Sequence, residues 1–342
     1  MVELSTLCYM EKEGQYLMLH RIKKKNDINK DKWIGIGGHF EKEESPEECL
    51  LREVYEETGL TLTSYRYRGL ITFVYNGTTE YMSLFTSDSF TGNLTDCNEG
   101  VLEWVKIEDI WNLNIWEGDK IFFRLLDENQ PSFSLKLVYD SNSNLKEAVL
   151  NGKQLELFDI LLPNGSKTGL IKERGVAHRD GSLHGTAHIW VVRPAAKGCD
   201  VLLQKRSLAK ESFPGCYDTS AAGHIAAGDD PLPSALRELS EELGIHASEE
   251  DLIYLGTHYT ETHTEFHDLP FHDCELSHIY LYEQPIDVET LFLQQEEVED
   301  VLWMDMEHCL EEAQANPDLY CFDQEEFRLI LLHCLSNRSK TN

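Results

Sequence analysis

Gly38-His39-Phe40-Glu41-Lys42-Glu43-Glu44 runs through Ser45-Pro46-Glu47-Glu48-Cys49-Leu50-Leu51 into Arg52-Glu53-Val54-Tyr55-Glu56-Glu57-Thr58-Gly59-Leu60. The pattern is G-x5-E-x7-R-E-U-x-E-E-x-G-U, where U is a bulky apolar residue. Ser45 is a good helix N-cap, Pro46 suits the first helical position, and Glu48 completes a capping box. Gly59 suits the residue just past the helix end. The spacing therefore predicts a helix between them. Glu53, Glu56 and Glu57 fall at i, i+3 and i+4, which places three carboxylates on one helical face. Leu50, Leu51 and Val54 supply the apolar side that docks the helix.

Three neighbouring carboxylates repel and raise one another's pKa. A hard divalent cation removes that cost, and carboxylate oxygens suit Mg²⁺, with Mn²⁺ the alternative. Such a cation binds phosphate oxygens, stabilises charge on a leaving group and lowers the pKa of a bound water. The Gly37-Gly38 pair before the helix lets backbone approach a ligand closely. The implied chemistry is water attack on a diphosphate bridge. An acidic surface helix would explain the charge but not glycine, glutamate and arginine at fixed offsets. At ordinary residue usage that combination arises by chance on the order of once per 10⁹ starts.

The stretch resembles the signature of the Nudix hydrolases at every defined position. It returns as Gly223, Asp229 and Arg237-Glu238-Leu239-Ser240-Glu241-Glu242-Leu243-Gly244-Ile245, displaced by 185 residues. Asp229 replaces the upstream glutamate and shortens its reach. Asp230 is placed to cap the second helix, with Pro231 at its first position. The resemblance implies two Nudix domains in tandem, residues 1–150 and 155–342. Each would be an α/β/α sandwich with a mixed sheet and an acidic helix. It also implies catalytic and metal-binding roles for Arg52, Glu53, Glu56 and Glu57, with Glu44 assisting. Arg237, Glu238, Glu241 and Glu242 would repeat those roles. Gly37, Gly38 and Gly223 would approach the substrate.

The first half resembles a narrower group, the MutT-like 8-oxo-dGTP diphosphatases. Trp33 leads the Gly-rich run, Glu99 lies five residues before Trp104, and Trp116-x-x-Asp119 precedes Phe122 and Phe123. The resemblance implies that Trp33 contacts substrate, Trp116 and Asp119 line a purine pocket, and Glu99 assists the metal site. Ile34 stands where mammalian members carry an asparagine that contacts the base. Lys23-Lys24-Lys25, Lys30 and Lys32 lie in the loop leading to Trp33, either as a solvated loop or as a cationic lip beside the phosphates.

The second half resembles the isopentenyl-diphosphate isomerases and allied Nudix hydrolases. His178, His184-Gly185-Thr186-Ala187-His188, Phe213-Pro214-Gly215-Cys216-Tyr217-Asp218 and Ala222-Gly223-His224 carry this resemblance. It implies a metal held by His178, His184 and His224, with Asp273 and Glu275 near the positions of two glutamates. Ala222 replaces the isomerase's catalytic cysteine, and a methyl group neither gives nor takes a proton. Twelve of the 14 histidines lie in this half, including His246, His258, His263, His267, His272, His278, His308 and His333.

Composition narrows the class further. The net charge of −31 divides into −10 for residues 1–150 and −21 for the remainder, and no Lys or Arg occurs from Glu238 to Phe327. That surface argues against nucleic-acid or anionic-membrane partners. Nine scattered cysteines without a C-x-x-C pair fit a reducing cytoplasm. The N-terminus lacks a signal-peptide layout, and no apolar run is long enough to span a bilayer. The expected activity is Mg²⁺-dependent and bifunctional. The first domain would convert 8-oxo-dGTP to monophosphate and pyrophosphate, and the second would act on another nucleoside diphosphate derivative. The alternatives are an isomerase-like second domain, or a nucleotide-sensing module without turnover.

Overall fold

The computed structural model describes residues 1–23, 27–196, 198–210, 212–266 and 269–338. Lys24, Lys25 and His267 lie outside the described residues. The chain divides into two compact units, Met1–Leu157 with Leu170–Val176, and Phe158–Gly169 with Ala177–Asn342. No described helix is long and apolar enough to cross a membrane.

The first unit is built from β1 (Val2–Lys12), β2 (Gln15–His20), β3 (Trp33–Ile34), α1 (Pro46–Thr58), β4 (Leu60–Tyr75), β5 (Thr78–Gly92), β6 (Val101–Lys106), α2 (Glu117–Asp127), β7 (Phe133–Tyr139), β8 (Leu145–Leu150) and β9 (Lys153–Gln154). Its sheet is mixed, in the order β3-β2-β1-β5-β4-β7-β8-β9 with β6 also on β2. β1 and β5 are parallel, while β4 and β5 form a long antiparallel hairpin. β4 runs unbroken through 16 residues. Register shifts near Ser64 and Gly69 let it bend without breaking.

β1 explains the layering. Its side chains alternate, so Cys8 and Met10 pack with Leu50 and Val54 of α1, while Tyr9 meets Phe122 and Phe123 of α2. Helices thus cover both faces. Fully burying Leu50 and Val54 contributes about 1.5–3 kcal/mol each. Leu51 is 38% exposed and does not join them. It lies one residue, about 100°, around the helix from Leu50, and Cys49 packs inward instead. The predicted capping box is present. The Glu48 N–H donates to Ser45 Oγ at 3.2 Å, and the Ser45 N–H donates to Glu48 Oε2 at 2.8 Å. Gly59 ends the helix in the left-handed conformation, φ 73°.

β10 (Leu157–Leu161), β11 (Lys167–Glu173) and α3 (Arg174–Asp180) follow. The second unit then contains β12 (His184–Pro194), β13 (Cys199–Arg206), β14 (Tyr217–Asp218), β15 (Ala221–His224), α4 (Pro231–Leu243), β16 (Leu252–Phe266), β17 (Leu269–Tyr282), β18 (Val298–Asp305), α5 (Met306–Ala315) and α6 (Gln324–Arg338). β12 repeats the logic of β1. Ile189 and Val191 face Leu239 and Leu243 of α4, while Trp190 and Val192 face Phe327 and Ile330 of α6. β12 pairs parallel with β17 as β1 does with β5. Asp230 holds the N-cap position of α4, but its side chain makes no capping hydrogen bond.

Candidate active sites

In the first unit the Gly-Gly segment lies against β1, where the Thr6 N–H donates to Gly38 O at 3.0 Å. A Cβ on Gly38 would sit 2.5 Å from the Glu53 carboxylate, so glycine makes room for that side chain. Arg52 organises the helix face. Its guanidinium donates to both oxygens of Glu44, at 2.6 and 2.9 Å, and to Glu53 Oε1 at 2.6 Å. It also reaches Glu56 Oε2 at 3.2 Å and His39 O at 3.1 Å. The Arg52 hydrogen bonds hold Glu44 down at about 2.

Glu57 behaves in the opposite way. Burial pushes it up to about 8, helped by the charges of Glu99 and Glu53, although the Gly37 N–H donates to its Oε2 at 3.1 Å. A cation there would replace repulsion with attraction, so this carboxylate set fits a divalent metal. Glu53 and Glu57 line a cavity of about 910 Å³; Glu56, with a side chain 59% exposed, is not part of that lining. Glu99 enters the same cavity from the turn before β6 and is ion-paired with Arg21. Arg21 also holds Asp27 at 2.7 Å. Sequence reasoning missed Arg21, whose only signal is its place at the end of β2.

The far end of this cavity is aromatic. Trp116 is 4% exposed, packs edge-on against Phe73 at 5.1 Å and Tyr139 at 4.8 Å, and donates its Nε1–H to Asn29 Oδ1 at 2.8 Å. Lys32 Nζ lies 4.6 Å over its ring. Asp119 is buried beside it and pushed up to about 7 by burial, with Lys32 pulling back. Trp33 is outside the cavity lining. It stacks on His20 at 4.5 Å, while its neighbour Ile34 faces inward, because adjacent strand residues point to opposite sides. Lys32 thus reaches the aromatic end, not the carboxylate end; it also donates to Ile115 O at 3.1 Å.

The second unit repeats the carboxylate end at the same offset. The Ala222 N–H donates to Glu242 Oε2 at 3.0 Å, as Gly37 does to Glu57. Arg237 donates to His224 O at 3.3 Å, as Arg52 does to His39 O. A Cβ on Gly223 would lie 2.2 Å from the Glu238 carboxylate carbon. Burial pushes Glu242 up to about 8. Arg237 pairs with Glu238 at 2.8 Å and Glu241 at 3.4 Å. No Arg237–Asp229 bond occurs among the described residues; an aspartate there is one methylene shorter than Glu44. Glu297, just before β18, holds the place that Glu99 has before β6 and pairs with Lys210.

Beside this box, His178 on α3, His184 on β12 and His224 on β15 bring ring nitrogens within 4.8 Å of one another. Asp273 Oδ1 lies 3.6 Å from Nε2 of both His178 and His184, and Glu275 Oε1 lies 3.7 Å from His224 Nε2. His184 Nδ1 donates to Ser182 O at 2.9 Å, which leaves the lone pair on Nε2 facing the cluster. Burial, with Asp273 nearby, raises Glu275. Imidazoles and carboxylates in this arrangement fit a divalent transition metal. One further residue was not foreseen. Glu326 of α6, fully buried, accepts from Trp190 Nε1 at 2.7 Å and bonds His188 Nδ1 at 2.9 Å. Burial alone would lower His188, and Glu326 reverses this to about 9.

The model of the NUDIX domain matches residues 3–126 and again residues 183–324. The chain belongs to the Nudix family. Its two α/β units are two Nudix domains in tandem. It is similar to Nudix hydrolase 3 of Arabidopsis thaliana, 41% identical over 154 residues, which are 44% of this chain and 19% of that protein. The chain therefore spans about a fifth of that relative's length. It is also similar to the oxidized purine nucleoside triphosphate hydrolase of Danio rerio, 31% identical over 126 residues, 36% of this chain and 79% of that protein. The isopentenyl-diphosphate Delta-isomerase of Photobacterium profundum is 33% identical over 75 residues, 22% of this chain and 42% of that protein.

Proposed function

We propose that both Nudix domains are Mg²⁺-dependent diphosphatases and that the first takes oxidised purine nucleoside triphosphates. The observation that carries this reading is the two-ended cavity. Carboxylates with Gly37-Gly38, and Trp116 with Asp119 and Asn29, line the same cavity. The charges that act on Asp119 are Lys32 and Glu117, and those that act on Glu57 are Glu99, Glu53 and Arg21, so the two sets stand apart. A triphosphate would lie toward Glu53, Glu57 and Glu99, and a purine would stack on the Trp116 side. Asp119 at about 7 keeps much of its proton near neutral pH, so it both donates and accepts at a base edge. Bound by Glu53, Glu56 and Glu57, Mg²⁺ would neutralise phosphate charge and acidify the attacking water. Arg52 orients Glu53 and Glu56, and Glu99, which lines the same cavity, accepts the water's proton. Water adds to one phosphorus of the α–β bridge as the bridging P–O bond breaks, giving monophosphate and pyrophosphate.

The second domain is proposed to hydrolyse another diphosphate-containing small molecule. Glu238, Glu241 and Glu242 repeat the hydrolytic face. Ala222 offers only a backbone N–H, already given to Glu242, where an isomerase needs a thiol. His178, His184 and His224 with Asp273 and Glu275 would hold a second metal beside that face. The deciding experiment incubates the full chain with Mg²⁺ and 8-oxo-dGTP, nucleoside diphosphate derivatives or isopentenyl diphosphate. Pyrophosphate from 8-oxo-dGTP in preference to dGTP, and no dimethylallyl diphosphate by NMR, is the expected result. Equal kcat/KM for the two nucleotides would overturn the first assignment, and robust isomerisation the second.

A further inference from the structure

β16 and β17 form a ribbon that outruns the sheet. β17 pairs with β12 only from Glu275 onward, opposite His184, so its earlier residues pair with β16 alone among the described strands. On that stretch Glu261 stands opposite Cys274, and His263 opposite His272. Residues two apart share a face and opposed residues share it too, so all four side chains lie on one side of the ribbon. Asp273 and Glu275 point to the other side, toward His178, His184 and His224.

Three of these donors converge, and His263 joins them through Glu261. Glu261 Oε1 lies 3.0 Å from His263 Nε2 and 2.8 Å from His272 Nε2. Cys274 Sγ lies 3.3 Å from His272 Nε2. The ligand atoms of Glu261, His272 and Cys274 are all within 4.8 Å of one another. The two imidazoles stack at 3.8 Å, which aligns them toward the same carboxylate oxygen. The neighbouring turn accommodates His272. Gly181 has φ 67°, and a Cβ there would fall 2.2 Å from the His272 ring.

We propose that Glu261, His263, His272 and Cys274 form a Zn²⁺ site, separate from the His178–His184–His224 cluster, that clasps the ribbon. Two imidazoles, a thiolate and a carboxylate are a ligand set that zinc takes tetrahedrally. Zinc bonds of about 2.0–2.3 Å place tetrahedral ligands about 3.3–3.8 Å apart. Glu261, His272 and Cys274 already lie within 4.8 Å of one another, and His263, which bonds the same Glu261 oxygen, completes the set by a side-chain rotation toward them. The thiol gives up its proton on binding, so metal uptake releases a proton and strengthens with pH. Because Asp273 and Glu275 alternate with His272 and Cys274 on one strand, the clasp also sets the position of those two carboxylates. A metal-free reading exists, in which Glu261 simply accepts hydrogen bonds from both imidazoles, and the thiol separates the two.

Cobalt(II) is the probe. The reduced full chain, anaerobic and metal-stripped, is titrated with Co²⁺ and followed by absorption. Cobalt bound by thiolate shows a near-ultraviolet charge-transfer band that imidazole and carboxylate sites lack. Among the described residues no other candidate metal group includes a cysteine, so the band reports this site. The expected result is a band that saturates at one equivalent, disappears on Zn²⁺ addition, and is absent in Cys274→Ser. His272→Ala should weaken Co²⁺ binding about 10-fold or more, since a tetrahedral set loses one of its four ligands. A wild-type chain that shows no band with its thiols titrated as reduced overturns the proposal. So does a band that survives Cys274→Ser. The wild-type titration decides the matter even if a variant fails to fold.

Discussion

Replacing Asp119 with asparagine tests the aromatic end of the first cavity through its protonation. The side chain is 7% exposed, and burial moves its pKa from 3.8 to about 7. At 1.36 kcal/mol per unit that is about 4 kcal/mol. The sign follows from the two states. Below pH 3.8 the carboxyl is protonated whether the chain is folded or not, so stability is unaffected. Between 3.8 and 7 the unfolded chain loses its proton first, so the folded state loses relative stability as pH rises. Above 7 the loss is complete. The Asp119→Asn side chain has no proton to lose and almost the same shape, so the variant's advantage over wild type should grow from pH 4 to pH 7 and then level off. The ceiling is about 4 kcal/mol, because the variant also gives up the attraction of Lys32. Substrate preference should follow the same curve. Wild type should favour 8-oxo-dGTP below pH 7 and lose that preference above it, while Asp119→Asn should show no such pH dependence. The assay pairs urea unfolding of the first domain with ¹³C NMR of aspartate carboxyls, Asp119 being assigned by its loss in the variant. A carboxyl titrating near pH 4, or parallel stability curves from pH 4 to 9, would refute the reasoning.

Three further outcomes are expected. Glu56→Gln and Glu57→Gln should each cost about 10²-fold or more in Mg²⁺-dependent turnover of 8-oxo-dGTP; full activity at limiting Mg²⁺ would exclude both as ligands. Gly38→Ala should cripple the same reaction while leaving the circular dichroism spectrum unchanged, because the added Cβ would lie 2.5 Å from the Glu53 carboxylate; unaltered kcat would show that Glu53 is not needed in that place. Ser45→Ala should lower the stability of the first domain by about 1 kcal/mol, since it removes one half of the capping box; denaturant unfolding with an unshifted midpoint would count against that estimate.

The two acidic helices, the capping box of the first and their repeat at one offset were legible in the chain because they are local. A helix forms from neighbours three and four residues apart, so Ser45, Glu48, Gly59 and the spacing of Glu53, Glu56 and Glu57 carry their own geometry. The strand alternation in β1 and β12 is equally local, and with it the helix-covered faces of each sheet. Other features rest on residues far apart in the sequence. Nothing near Trp33 says that it stacks on His20 and leaves the cavity to Ile34. Leu51 looks as apolar as Leu50, yet only the helix's docking angle decides which is buried. Arg21 and Glu99 meet across the fold, as do Glu326 and His188, and each pairing depends on how strands are ordered in the sheet. Asp119 is an ordinary acidic residue in the chain. Its proton is held by desolvation, a property of the packed interior that no neighbouring residue can supply. The sharpest division runs through β17. Composition shows histidines in number, but it is strand register that sends Asp273 and Glu275 to one side and His272 and Cys274 to the other, and so makes two candidate sites from one run of four residues.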